Sequence, residues 1–346
     1  MSMEDNLRLQ AVGCDMLGSP FYARLLERMV DDLEAGGPTA MLLAPYADAS
    51  FEVVVPLRVL GRVHRLVLDG DAPELATHFP STDGDGDAGA AWPVFRDVLA
   101  ANVDQIAAGM SQEPQTNEVG RSAALVGGFL TVAAETGLPL RIRELGASAG
   151  LNLRFDHFFF SCAGRSYGDP ASPVRFEDVW NGGCPPLDVP AVVADRRGCD
   201  RHPIDPTTHD GQLTLLSYVW PDQRERFPLL RAAFEVAMRV PATVDAASAA
   251  DWLARELATP APGLATVVYH SVFWSYLDDD QRAEIRGLIE EAGGRATDDA
   301  PLAWLKFETP EAGEIPFAVR LTVWPGGEER LLARAHPHVG PVDWVA

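Results

Sequence analysis

Apolar residues in the first third of the chain recur at helical spacing. Phe21, Leu25, Leu26, Met29, Val30 and Leu33 share one face of a predicted helix that begins at Ser19-Pro20, with proline in the first turn, and stops at Gly36-Gly37-Pro38. A second amphipathic helix is predicted through Phe95, Val98, Leu99, Val103 and Ile106. Between them, Phe51-Glu52-Val53-Val54-Val55 and the run at 63–68 suit a helix or a strand, because short apolar runs do not separate the two periods. From about Gln115 the texture becomes an alternation of apolar strands and helices, the pattern of an α/β domain with a mostly parallel sheet. A helix at about 119–136 leads through Gly137 into a strand at 138–145, a small-residue turn and a further helix from about Leu151. Further strands are expected at 189–199, near 243–244, and at 264–270, 302–307, 317–323 and 330–335, which makes seven. Trp324-Pro325-Gly326-Gly327 joins the last two as an antiparallel hairpin at the sheet edge. The expected organisation is a mainly helical N-terminal region at 1–114 and an α/β domain at 115–346, with an insertion near 158–190.

Composition narrows the partners. The 346 residues are 47% hydrophobic, enough for one large core or two modest ones. With 28 basic against 50 acidic residues the net charge is −22, which repels phosphate backbones and excludes a nucleic acid partner without a local basic patch. Glu4, Asp5, Arg8 and Asp15 interrupt the N-terminus before a secretory signal could form, so a cytoplasmic location is expected. The longest apolar stretch, at 123–134, falls short of the roughly twenty residues of a membrane span. Cys14, Cys162, Cys184 and Cys199 form no CxxC pair, so neither structural zinc nor a disulfide framework is expected. Asp83, Asp85 and Asp87 alternate as in a calcium loop, but Ala88 and Val94 stand where such a loop needs glycine and glutamate, so a solvated loop is expected and no metal site.

The most informative segment is Arg143-Glu144-Leu145-Gly146-Ala147-Ser148-Ala149-Gly150-Leu151-Asn152. It places small residues between a strand and a helix, at the carboxyl edge where open α/β sheets bind ligands. The order E-x-G-x-S-x-G resembles the first motif of class I S-adenosylmethionine-dependent methyltransferases, E/D-x-G-x-G-x-G, with Ser148 at the middle glycine. Asp200, in Gly198-Cys199-Asp200-Arg201-His202-Pro203, matches the acid that ends the family's second strand, and Val244-Asp245-Ala246 resembles its third strand end. The resemblance covers residues 115–346 and implies a Rossmann-like fold with S-adenosylmethionine as cofactor. It implies close approach at Gly146 and Gly150, Glu144 at the methionine end, Ser148 and Asn152 completing the turn, Asp200 on the ribose and Asp245 near the adenine. The phrases Gln115-Thr116-Asn117-Glu118-Val119-Gly120-Arg121, Glu144 to Asn152, Val219-Trp220-Pro221-Asp222-Gln223-Arg224-Glu225-Arg226 and His270-Ser271-Val272-Phe273-Trp274 are similar to those of a prokaryotic family known only as a domain of unknown function.

His270, at a strand's carboxyl end beside Tyr269 and Trp274, is the expected general base. Asn117, Glu118, Arg121, Tyr269 and Trp274 are the expected substrate or lid residues, although Asn117 and Glu118 also suit a helix start. The acceptor is expected to be a small molecule or a protein side chain. Two alternatives stand. Gly146-x-Ser148-x-Gly150 also satisfies the nucleophile elbow of α/β-hydrolases, with Ser148 attacking, and a domain of this type can bind a ligand without catalysis.

Overall fold

The computed structural model describes residues 2–49, 53–309, 316–338 and 340–346. Its first elements are helices: α1 (Met3–Met16), α2 (Pro20–Glu34), α3 (Pro38–Leu43), α4 (Val55–Asp69), α5 (Pro73–Ala76), α6 (Ala88–Ala101), α7 (Val103–Gly109) and α8 (Arg121–Thr136). Then come β1 (Leu140–Leu145), β2 (Phe159–Cys162), β3 (Arg165–Gly168), β4 (Arg175–Glu177), β5 (Trp180–Asn181) and β6 (Val193–Asp200). The remainder runs α9 (His209–Ser217), α10 (Arg226–Ala237), β7 (Thr243–Ala246), α11 (Ala249–Glu256), β8 (Ala265–Ser271), α12 (Asp279–Gly294), β9 (Leu302–Glu308), β10 (Phe317–Trp324), β11 (Glu329–Ala335) and β12 (Val342–Trp344). No helix among the described residues is long and apolar enough to cross a membrane.

The chain divides into two compact units, residues 1–116 with 208–230, and residues 117–207 with 231–346. The first unit is helical, as the sequence leads one to expect. Its core gathers Leu25, Leu26 and Met29 of α2, Val59, Leu60 and Val63 of α4, and Phe95 and Leu99 of α6. The ambiguous run at 63–68 belongs to α4, whose buried Val55, Val59, Leu60, Val63, Leu66 and Val67 follow a 3.6-residue period. Phe51 and Glu52 lie outside the described residues. The second predicted helix is two, α6 and α7, divided at Asn102, whose side-chain amide donates to the Val98 carbonyl at 2.8 Å.

That residues 208–230 join this unit was not visible in the sequence. Asp222 explains the attachment. Its carboxylate accepts from the Ser19 hydroxyl at 2.5 Å and the Phe21 amide at 3.0 Å, so the α2 N-terminus is capped from that segment and not by Ser19. Gln223 adds a bond from its amide to the Leu17 carbonyl at 2.8 Å.

The second unit is α/β. Its main sheet has nine strands in the order β5-β12-β11-β10-β9-β8-β1-β6-β7, where seven were expected. The seven expected strands are present, but β5 and β12, of two and three residues, extend the edge beyond the β10–β11 hairpin, so the hairpin is not the edge. Both additions are too short for a period-two pattern to register. β7, β6, β1, β8 and β9 are mutually parallel, whereas β10 and β11 run antiparallel to their neighbours. Numbered along the chain, the parallel set reads 3-2-1-4-5, so the topological switch point lies between β1 and β8. Alternation divides the faces: Arg141, Arg143 and Leu145 point to the α11–α12 side, Glu144 to the α8 side.

The two β1 arginines are neutralised where they stand. Arg143 donates to Glu256 at 2.6 Å and to Asp195 at 2.5 Å, and Arg141 to Glu256 at 2.9 Å. The insertion at 158–190 forms a separate sheet in the order β3-β2-β4. It also corrects the cysteine reading, because Cys162 and Cys184, 22 residues apart, are joined in a disulfide with their Cα atoms 5.8 Å apart. Cys14 and Cys199 are free and buried.

Candidate functional site

At the end of β1 the turn from Gly146 to Gly150 is bonded to the protein rather than open to a ligand. The Ala147 amide donates to the Cys199 carbonyl at 2.9 Å, the Ser148 amide to Asp200 Oδ2 at 2.9 Å, the Gly150 amide to the Ala147 carbonyl at 2.7 Å, and the Leu151 amide to Asn117 Oδ1 at 3.0 Å. The helix expected from Leu151 is a 3-10 stretch, Asn152–His157. The chain after β1 therefore does not form an α-helix with its first-turn amides free for an anion, the arrangement that makes such turns bind carboxylates and phosphates.

The glycines answer to packing. Gly146 and Gly150 have φ of 65° and 64°. A Cβ at Gly146 would lie 2.4 Å from the Phe273 ring, and one at Gly150 would lie 2.8 Å from Val244 Cγ2. Ser148, also left-handed at φ 53°, is buried.

The polar phrase around residues 117–121 folds onto this turn. Asn152 Nδ2 donates to the Glu118 carbonyl at 3.2 Å and its Oδ1 accepts from the Ser122 hydroxyl at 2.7 Å, while Glu118 Oε1 accepts from the Gly120 amide at 3.1 Å. Arg121 donates to the Ser271 carbonyl at the end of β8 and to the Pro337 carbonyl, both at 3.1 Å. Asn117, Glu118, Arg121 and Asn152 thus hold the ends of β1 and β8 and the start of α8 in register. Arg154, a residue that the sequence did not single out, is buried with its guanidinium on the Val240 carbonyl at 2.7 Å and the Gly150 carbonyl at 2.6 Å.

Glu144 and Tyr269 are register partners on adjacent parallel strands and face the α8 side together. The Tyr269 ring meets Phe129 edge-on at 5.0 Å, and Phe129 stacks on Phe155 at 4.2 Å, which closes an aromatic wall. Glu144 is 2% exposed and Tyr269 0%. Glu144 Oε2 and the Tyr269 hydroxyl each lack a partner at hydrogen-bonding geometry. Burial pushes the Glu144 carboxyl up to about 8, against the opposing pull of the nearby Tyr269 hydroxyl and the Arg154 and Arg121 charges. Burial also lowers Arg154 to about 10, first among several causes.

His270 stands on the other face of the sheet from its neighbour Tyr269. It is fully buried, with Nδ1 2.7 Å from Glu308 Oε1 and Nε2 accepting the Trp304 indole N–H at 3.1 Å. Since the indole can only donate, Nε2 is unprotonated and Nδ1–H donates to the carboxylate. Trp274 stacks on the imidazole at 4.8 Å. With both nitrogens engaged, the ring offers none to a substrate proton.

Asp200 and Asp245 also separate. Asp200, half-buried at the end of β6, accepts one backbone amide on each oxygen, from Ser148 and His202, both at 2.9 Å. A carboxylate has about four acceptor positions, so Asp200 keeps capacity for further donors. Asp245 points away from Gly150, which its neighbour Val244 approaches. Its carboxylate is held by Arg197 at 2.8 Å and the Trp252 indole at 2.7 Å, and these contacts, working against burial, bring it below the usual carboxylate range.

The sequence signal that would have found Glu308 is positional: like Glu144 and Asp200, it is an acid in the last position or two of a strand at the same edge. Among the described residues no group of three or more His, Cys, Asp or Glu is placed to hold a metal ion. No curated protein and no solved structure matches the chain. A family model described as an uncharacterized protein conserved in bacteria, DUF2332, matches residues 4–344. Spanning nearly its whole length, that match makes this chain a member of the DUF2332 family.

Proposed function

We propose that the chain binds S-adenosylmethionine at the carboxyl edge of its nine-stranded sheet and transfers the methyl group to a small molecule or a protein side chain. The observation that carries this reading is Asp200: a half-exposed carboxylate, fixed by two backbone amides, at the end of the strand next to β1 and beside a left-handed turn. An acid so placed can accept two adjacent hydroxyls, which is what a ribose presents. The ribose end of the cofactor therefore fits. The amino-acid end meets a turn whose amides at 147, 148, 150 and 151 are already bonded, so its recognition would fall to side chains.

The cofactor would supply an electrophilic methyl on a sulfonium. The chain's own residues would position and exclude water. Phe129, Phe155 and Tyr269 make a dry wall on the α8 face, and Asn117, Arg121 and Asn152 hold the turn against it. Glu144, held largely protonated at neutral pH, is better placed than His270 to take part in proton transfer. Trp274 and His270 support the strand end from the opposite face. The net charge of −22 favours such acceptors over DNA or RNA. The serine-hydrolase alternative has less support, because the nucleophile of such an elbow stands exposed at the top of the sheet and Ser148 is buried.

A thermal-shift titration of the full chain tests the reading. Binding to the folded state alone adds roughly 2.7 kcal/mol at a ligand concentration of about one hundred Kd, a shift of several degrees. A folded sample whose melting temperature is moved by neither S-adenosylmethionine nor its demethylated product contradicts the proposal.

A further inference from the structure

The acidic loop at residues 81–90 has an unexpected member in Ser81. Its acids serve the loop itself: Asp87 accepts from the Gly89 and Ala90 amides to cap α6, and Asp85 accepts from the Asp87 amide and lies 3.0 Å from His78 Nδ1. Ser81 is different. Its Oγ lies 2.8 Å from Nε2 of His64 on α4, and His64 Nδ1 lies 3.0 Å from the Ser217 carbonyl. A carbonyl can only accept, so Nδ1 carries the ring proton, Nε2 is the acceptor, and the Ser81 hydroxyl donates to it. His64 is fully buried, and burial pushes it down to about 4, so the ring is neutral at pH 7. Ser81 itself is half-buried, on the single turn Pro80–Thr82 that Thr82 Oγ1 pins to the Ala76 carbonyl at 2.7 Å. Nucleophile, base and a group that orients the base are thus within hydrogen-bond reach of one another.

We propose that Ser81 is an activated serine, a covalent acylation site at which His64 Nε2 takes the hydroxyl proton and the Ser217 carbonyl fixes the imidazole. Its partners are activated acyl donors, aryl esters or thioesters. In the step, Ser81 Oγ bonds to the acyl carbon, the bond from that carbon to the leaving oxygen or sulfur breaks, and the Oγ proton passes through Nε2 to the leaving group. Water reverses the sequence by releasing the acid from Oγ. The restriction to activated donors comes from the surroundings. The Thr82, Asp83 and Gly84 amides donate to the Phe79, Pro80 and Phe79 carbonyls, so they are not free to hold an oxyanion, and a buried imidazole is a weak base. Ser81, His64 and Ser217 all belong to the first unit, so the site is independent of methyl transfer.

The test treats the full chain with a fluorophosphonate and maps adducts by mass spectrometry. The expected result is a phosphonate on Ser81, formed as the P–F bond breaks and fluoride leaves, and lost in Ser81→Ala. His64→Gln, which keeps an amide donor near Ser217, should slow labelling by about a hundredfold or more, the usual scale of a lost base. If that variant does not fold, wild-type labelling at Ser81 is compared with the exposed Ser111. No adduct at Ser81, an adduct formed no faster than at Ser111, or one formed equally fast in folded His64→Gln overturns the proposal.

Discussion

Replacing Glu144 by glutamine should stabilise the protein at neutral pH, and where the carboxyl sits sets the size of the effect. Glutamine has the same shape and is neutral at every pH. The wild-type carboxyl, with an ordinary value of 4.5, is pushed up to about 8 by burial, so folding at pH 7 keeps protonated a group that the unfolded chain would ionise. At 1.36 kcal/mol per pH unit, the span from 4.5 to 7 costs the wild type about 3 kcal/mol. The sign is that of a raised folded-state value: below pH 4.5 both states are protonated and no cost arises, stability falls as pH rises from 4.5 to about 8, and above that the loss levels off. The variant should therefore match the wild type at pH 4 and exceed it by about 3 kcal/mol at pH 7. Urea unfolding of both proteins from pH 4 to 9 measures the difference directly. The competing picture is a charged Glu144 stabilised by Arg154 and Arg121. In that case the variant would be less stable at pH 7, and that result, or a difference flat with pH, refutes the reasoning.

Reduction of the Cys162–Cys184 disulfide releases a 22-residue separation and should cost about 3 kcal/mol by loop-closure entropy, read as a lower urea midpoint with reductant. An unchanged midpoint contradicts it. His64, pushed down to about 4, should show no ring titration by NMR between pH 5 and 8. Its depressed value contributes stability above the ordinary 6.5 that is lost as pH falls from 6.5 toward 4, and an imidazole titrating near 6.5 in the folded protein would contradict the buried bond to Ser217.

How far the sequence speaks for the fold can be seen at particular residues. The α2 face and six of the seven expected strands were legible because each carries its pattern over enough residues, whereas the strand near 243–244 was placed by the alternation of strands and helices and not by a period. β5 and β12 were not, since two or three residues carry no period, and β5 joins the sheet only through β12, far along the chain. The turn at 146–150 was visible as a place needing small residues. That Phe273 and Val244 create the need was not, because both come from later strands and loops. The same holds for the site: Tyr269 and His270 were named together, yet alternation along β8 sends them to opposite faces. Asp222 was visible only as part of a family phrase, while its capping of α2, two hundred residues away in the chain, was not.

The cofactor reading stands or falls with Asp200 as a ribose site. Isothermal titration of S-adenosylmethionine into the wild type and into Asp200→Ala, both shown to be folded, decides it. Saturable heat is expected with the wild type and an affinity at least tenfold weaker in the variant, the scale of about 1.4 kcal/mol for lost hydrogen bonds to a charged group. Absence of heat in the wild type, or equal affinity in the two proteins, would contradict the assignment.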